Sequence, residues 1–166
     1  MEAEFPGFRI VPKHESRFQT WIHRALMLIT FGRLNAYLDG YQTTLGRTIY
    51  VTPDWQQLDP DQRRITLEHE RVHLRQFQKF TTVGMALLYL FLPLPMGLAY
   101  FRARFEKQAY AQTIRATARI RGLDAAKSSA LREQILSQFV GPSYGWMWPF
   151  PKQLNRWYDE VIASLE

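Results

Sequence analysis

The sequence predicts an α+β fold, mostly α, with a small β-hairpin or three-stranded antiparallel sheet beside a helix that carries His-Glu-x-x-His. Three observations point there. Apolar residues recur at helical spacing over most of the chain. Residues 34–52 break that pattern: Tyr, Thr, Ile and Val dominate and Gly40 and Gly46 punctuate. The length of 166 residues, 46% of them hydrophobic, suits a single domain over 1–166 with a real core.

Taken in order, residues 1–14 contain Pro6, Gly7 and Pro12 and read as an irregular arm. Ser16 is placed to cap a helix to about Phe31, with Phe18, Trp21, Ile22, Ala25, Leu26 and Ile29 on one face. His23 lies next to that face and reads as a packed or surface histidine. Within 34–52, two or three short strands are expected. The clearest is Thr48–Thr52, where Ile49 and Val51 share a face.

Asp59-Pro60 opens the next helix, Asp59 as N-cap and Pro60 at the first helical position. Ile65, His69, Val72, His73, Gln76 and Phe80 then line one face. His69-Glu70-Arg71-Val72-His73 is expected by chance about 0.005 times in a chain with 4 His and 9 Glu, so the pattern carries weight. Histidines four residues apart share a helix face and can close on one Zn²⁺ at about 2.0–2.1 Å each. Glu70, one step on, is placed to reach a water at the metal and act as general base. Arg71 is a charged residue inside the motif. It lies about 200° round the helix from His69 and can point to water.

The absence of cysteine excludes disulfides and thiolate ligands, leaving His and carboxylate to hold any metal. Net charge is +6, but the basic residues are scattered, with a mild concentration from Arg102 to Arg132 and no nucleic-acid motif. A solvated cationic face is expected, and no specific nucleic acid. The acidic start Met1-Glu2-Ala3-Glu4 lacks a signal-peptide layout, which makes a cytoplasmic, optionally membrane-associated, location the default.

Residues 80–101 carry no charge, yet Pro93, Pro95 and Gly97 break the run. About ten continuous residues remain, Val83–Leu92. That suits a buried core helix or a membrane-dipping hairpin better than a span. Peripheral membrane contact through residues 83–98 stays open. A long helix is expected from Met96 to about Arg121, another from Asp124, as cap, to about Phe139, and a last one over Lys152–Ser164. The aromatic loop 143–151 reads as a lid on the core or a lining of a peptide cleft. Glu106 lies 33 positions beyond His73, followed three residues later by small Ala109. If His73 and Glu106 meet one metal, a helix running out about 28 Å from His73 to Leu92 and a return of only about 15 Å from Met96 to Glu106, after a turn at Pro93–Pro95, do not match, so the outgoing path must bend. Thr81, Thr82 and Gly84 are where it can. The motif helix should therefore end near Phe80.

With His69, Glu70, His73 and Glu106 in hand, the chain resembles a minimal zincin metallopeptidase of the gluzincin type. Residues 43–50 and Gln76 also resemble small bacterial HExxH proteins. The resemblance covers about residues 41–110. It implies a zinc-dependent peptidase acting on a peptide or protein, with His69, His73 and Glu106 as zinc ligands and Glu70 as general base. It further implies a substrate strand beside the motif helix, for which Thr48, Ile49 and Tyr50 are the candidates, with Trp146 lining the cleft. Tyr144 is the candidate oxyanion donor. Two alternatives remain. One is a zinc-binding interaction module of this fold that does not cleave. The other is a basic membrane-surface or nucleic-acid-binding protein whose motif is incidental.

Overall fold

A computed structural model describes residues 1, 3–29, 37–90, 100–141 and 147–166. Strand β1 (Arg9–Pro12) leads through a short 3₁₀ turn into α1 (Arg17–Ile29). Strands β2 (Thr43–Leu45) and β3 (Thr48–Val51) follow, then α2 (Pro60–Leu90), α3 (Tyr100–Arg121), α4 (Leu123–Lys127), α5 (Ser129–Val140) and α6 (Pro151–Ala163). The architecture is α+β and mainly helical, with one small mixed sheet.

The sheet order is β1-β3-β2. β2 and β3 form the expected hairpin, joined at Gly46-Arg47, with Leu45 opposite Thr48. Gly46 takes φ +59°, which a glycine at the first position of a two-residue loop supplies without strain. Ile49 and Val51 point together into the core, as their spacing predicts. The sheet is not all antiparallel. β1 runs parallel to β3, pairing Arg9 with Thr48 and Pro12 with Val51. The irregular arm expected over 1–14 is thus partly a strand. Its order comes from a partner some forty residues away, which no local pattern records.

Ser16 caps α1, its hydroxyl accepting from the Gln19 N–H at 3.3 Å. Of the stripe expected on α1, Phe18 and Trp21 are exposed and Ile22 and Ala25 half-buried, while Gln19 is buried and accepts from the Tyr37 hydroxyl.

Asp59 accepts from the Gln62 N–H and α2 begins at Pro60, as expected. The helix breaks at Thr81, whose φ of 60° and ψ of 166° lie outside any helical region. That is the bend the travel-length argument requires. The Thr81 hydroxyl accepts from the Gly84 N–H and so caps the second, apolar segment. Leu92 and the turn expected at Pro93–Pro95 lie outside the described residues. α3 returns antiparallel to α2 and ends before Gly122, at φ +93°. Asp124 does not cap a long helix. It sits in the first turn of short α4, and Ser128, accepting from the Leu131 N–H, restarts the chain as α5.

Two cores flank the α2–α3 pair. Phe5, Ile49, Val51, Trp55 and Leu74 form the sheet-side core. Ile114, Ile135, Phe139, Met147, Leu154 and Tyr158 join α3, α5 and α6 on the other side. No helix among the described residues is long and apolar enough to cross a membrane.

Candidate metal centre

α2 and α3 pack against each other more extensively than any other pair of elements. Ala109, fully buried in α3, has no side chain beyond Cβ to hold the helices apart. Between them His69, His73 and Glu106 converge, each offering a ligand atom within 4.8 Å of the others. The two Nε2 atoms are 3.2 Å apart, and each lies 3.7 Å from a Glu106 oxygen. Ligands at about 2.0–2.1 Å on a tetrahedral zinc are separated by about 3.4 Å, so the spacing fits. Glu106 is buried and so is not a solvated surface carboxylate.

The hydrogen bonds around the histidines fix their tautomers. Gln76 donates through Nε2 to the Phe105 carbonyl at 3.2 Å and to Gln108 Oε1 at 3.1 Å. A carbonyl can only accept, so the amide orientation is set and Gln76 Oε1 faces His73 Nδ1 at 2.9 Å. That nitrogen must carry the proton, leaving Nε2 with a bare lone pair. Thr113 donates to the Ala109 carbonyl, so its oxygen accepts from His69 Nδ1 at 3.0 Å. His69 Nε2 is bare for the same reason. Two lone pairs and a carboxylate pointing into one small buried space repel one another. A cation between them removes the conflict, and the donor set of two imidazoles and one carboxylate suits zinc with an open position.

Burial pulls the His69 pKa well down, and His73 beside it pulls the same way. His73 goes up instead: burial opposes its charge, but the Glu106 and Glu70 carboxylates outweigh burial.

Glu70 is buried and accepts the Thr44 hydroxyl of β2 at 2.6 Å. Burial pushes its carboxyl up, with His73 and the Thr44 bond pulling back. Arg71 is turned away from the site. It pairs with Glu4 and Glu68 at the surface, so the charged residue inside the motif leaves the centre untouched.

Several neighbours lack a local sequence signal. Tyr110 packs its ring edge-on to His69 at 4.7 Å, and burial with the Glu106 and Glu70 charges holds its phenol protonated. Tyr41 is pushed up to about 12 by burial and the nearby Tyr37, with Glu106 adding to the rise. Lys13 is fully buried. Its ammonium donates to the carbonyls of Tyr37 and Tyr41, both at 2.7 Å, under the two rings. Burial pulls it down to about 8 against the charges of Glu70 and Asp39. Thr44 and Thr113 complete the shell; Thr113 is seven residues after Glu106, two turns along the same face of α3.

Thr48, Ile49 and Tyr50 lie on β3, which is the central strand. Its backbone is paired on both sides, with β1 and with β2, so an extended peptide has no edge to join there. That expectation is corrected. Among the described residues β2 is the edge strand on the α2 side, and it carries Thr44. Tyr144 and Trp146 lie outside the described residues. No family model matches the chain, and no match is found among curated proteins or solved structures.

Proposed function

We propose that the protein is a zinc-dependent peptidase of the gluzincin type, in minimal form. His69, His73 and Glu106 are the ligands and Glu70 is the general base. The observation that carries this reading is the pair of imidazole Nε2 atoms, 3.2 Å apart and each 3.7 Å from an oxygen of the buried Glu106 carboxylate, with Glu70 one residue from the first ligand. Zinc bound there would supply the charge that acidifies a water and polarises a carbonyl.

The chain's own residues then divide the work. Gln76 and Thr113 hold each imidazole in the tautomer that presents Nε2. The Thr44 hydroxyl occupies Glu70 Oε2, which orients the carboxylate and leaves its other oxygen for a water proton. A carboxyl whose pKa is raised by burial is better matched to giving that proton on to a leaving amine. Phenols held protonated beside the ligands, Tyr110 and Tyr41, are donors of the kind a developing oxyanion needs. Among the described residues β2 has no strand on its outer side, which is where an extended peptide would add.

The surface pairing of Arg71 weakens the non-cleaving alternative, since the departure from the usual motif lies outside the site. The test is Glu70→Gln with zinc measured alongside. The amide keeps the shape and loses the base, so cleavage of a peptide library should vanish while zinc content stays. Equal cleavage by parent and variant would contradict the reading.

A further inference from the structure

The back of the α2–α3 pair forms a groove of about 530 Å³. Arg75, Lys79, Arg104 and Arg115 line it, and no carboxylate does. All four are exposed. Arg75 pairs with Glu4; among the described residues, Lys79, Arg104 and Arg115 have no carboxylate partner. A row of like charges held in one groove is unfavourable until an anion enters it.

The groove has a polarity along its length. One end is walled by Phe80 and Phe101, with the Phe80 ring packed on Phe105. Phe101 on that wall is 36% exposed, Tyr100, whose ring meets it edge-on, 50%, and Val83, two residues beyond the break at Thr81, 70%. Arg104 stands one turn along α3 from Tyr100 and Phe101, and Lys79 lies just before the break at Thr81; cations close behind exposed aromatic and aliphatic side chains are the arrangement of an interfacial anchor. The apolar groups enter the boundary of a bilayer, and the basic groups meet lipid phosphates. A free anion in solution would use the cations and leave the apolar end without a role.

We propose that this end of the groove docks on the surface of an anionic phospholipid bilayer. Val83, Tyr100 and Phe101 enter the interfacial layer, and Lys79 and Arg104 contact lipid phosphates. The contact is peripheral, since no described helix is long and apolar enough to cross. It uses none of the metal ligands, which converge between the two helices; Gln76, whose amide meets His73, is common to the groove wall and the centre.

Vesicle sedimentation with the full chain tests this. The probes are phosphatidylcholine vesicles with and without about one third phosphatidylglycerol. Binding is expected to the anionic vesicles only, and to fall steeply between 0.1 and 0.5 M salt, roughly, as screening shortens. Each basic residue near an anionic leaflet multiplies partition by about five, so Lys79→Gln with Arg104→Gln should weaken it about thirtyfold. Phe101→Ser should weaken binding while leaving its salt dependence intact. Circular dichroism and melting of each variant establish that it is folded. Equal binding to neutral and anionic vesicles would overturn the proposal. So would loss of binding in Trp21→Ala, on α1, with the groove variants unaffected. Tight binding of inositol hexakisphosphate or of a single-stranded oligonucleotide with no vesicle binding would assign the groove to another anion and overturn it as well.

Discussion

The two sides of the α2–α3 pair handle polar groups in opposite ways. On the inner side, His69, His73, Glu70 and Glu106 are largely or fully buried, and the protonated nitrogen of each imidazole is held by a named acceptor. On the outer side, Lys79, Arg104 and Arg115 stand in water, with no carboxylate opposite them among the described residues. Burial makes a misplaced partner costly, so the inner groups are fixed in tautomer and direction and suit one small cation. Solvation makes misplacement cheap, so the outer groups define a field and not a geometry. Changes inside should therefore be large and specific, and changes outside small and salt-sensitive.

Glu70→Gln should have the largest effect. Loss of a positioned base typically lowers turnover about 10²–10⁴-fold. Peptide cleavage should fall by that amount with zinc affinity within about twofold of the parent. Next comes Gln76→Leu, which leaves His73 Nδ1 without its acceptor. Residues that orient metal-ligating histidines are worth about 10–100-fold in metal affinity. Competition against a chromophoric chelator should show that loss. An unchanged affinity would mean that Gln76 serves only the packing of α3.

A smaller effect concerns Lys13. Its folded pKa of about 8 lies below its ordinary value of 10.5. Between those values the unfolded chain binds more protons than the folded one, so stability gains from this lysine as pH rises from 8 towards 10. The melting temperature of the parent relative to Lys13→Met should climb by a few degrees, roughly, over that interval. A flat difference would show that the ammonium is not held as described. The smallest effect is expected across the pair, from the outer side to the inner. Lys79→Gln with Arg104→Gln should change zinc affinity by less than about twofold, because exposed charges are screened. A tenfold change would break the separation of the two sides.

Much of the inner side was legible in the sequence because helices report through spacing. His69 and His73 share a face, Glu106 with Ala109 marks the returning helix, and the unequal path lengths call for a bend, found at Thr81. What was not legible depends on partners distant in sequence. β1 is a strand only because β3 lies beside it, and its presence makes β3 central, leaving β1 and β2 as the edges among the described residues. Lys13 sits in a segment with no periodicity and is buried by carbonyls of Tyr37 and Tyr41. Thr113 carried a signal that spacing could have shown, two turns beyond Glu106. Gln76 was visible as a face residue, but its amide orientation needs the Phe105 carbonyl from the opposite helix.

The central claim is that His69, His73 and Glu106 form a zinc site. The most direct measurement is zinc per chain after equilibration with one equivalent of zinc and removal of the unbound metal, in the parent and in His73→Ala. About one zinc is expected in the parent and close to none in the variant, since three protein ligands would drop to two. A folded parent that retains no zinc at neutral pH, or a variant that retains as much as the parent, would contradict it.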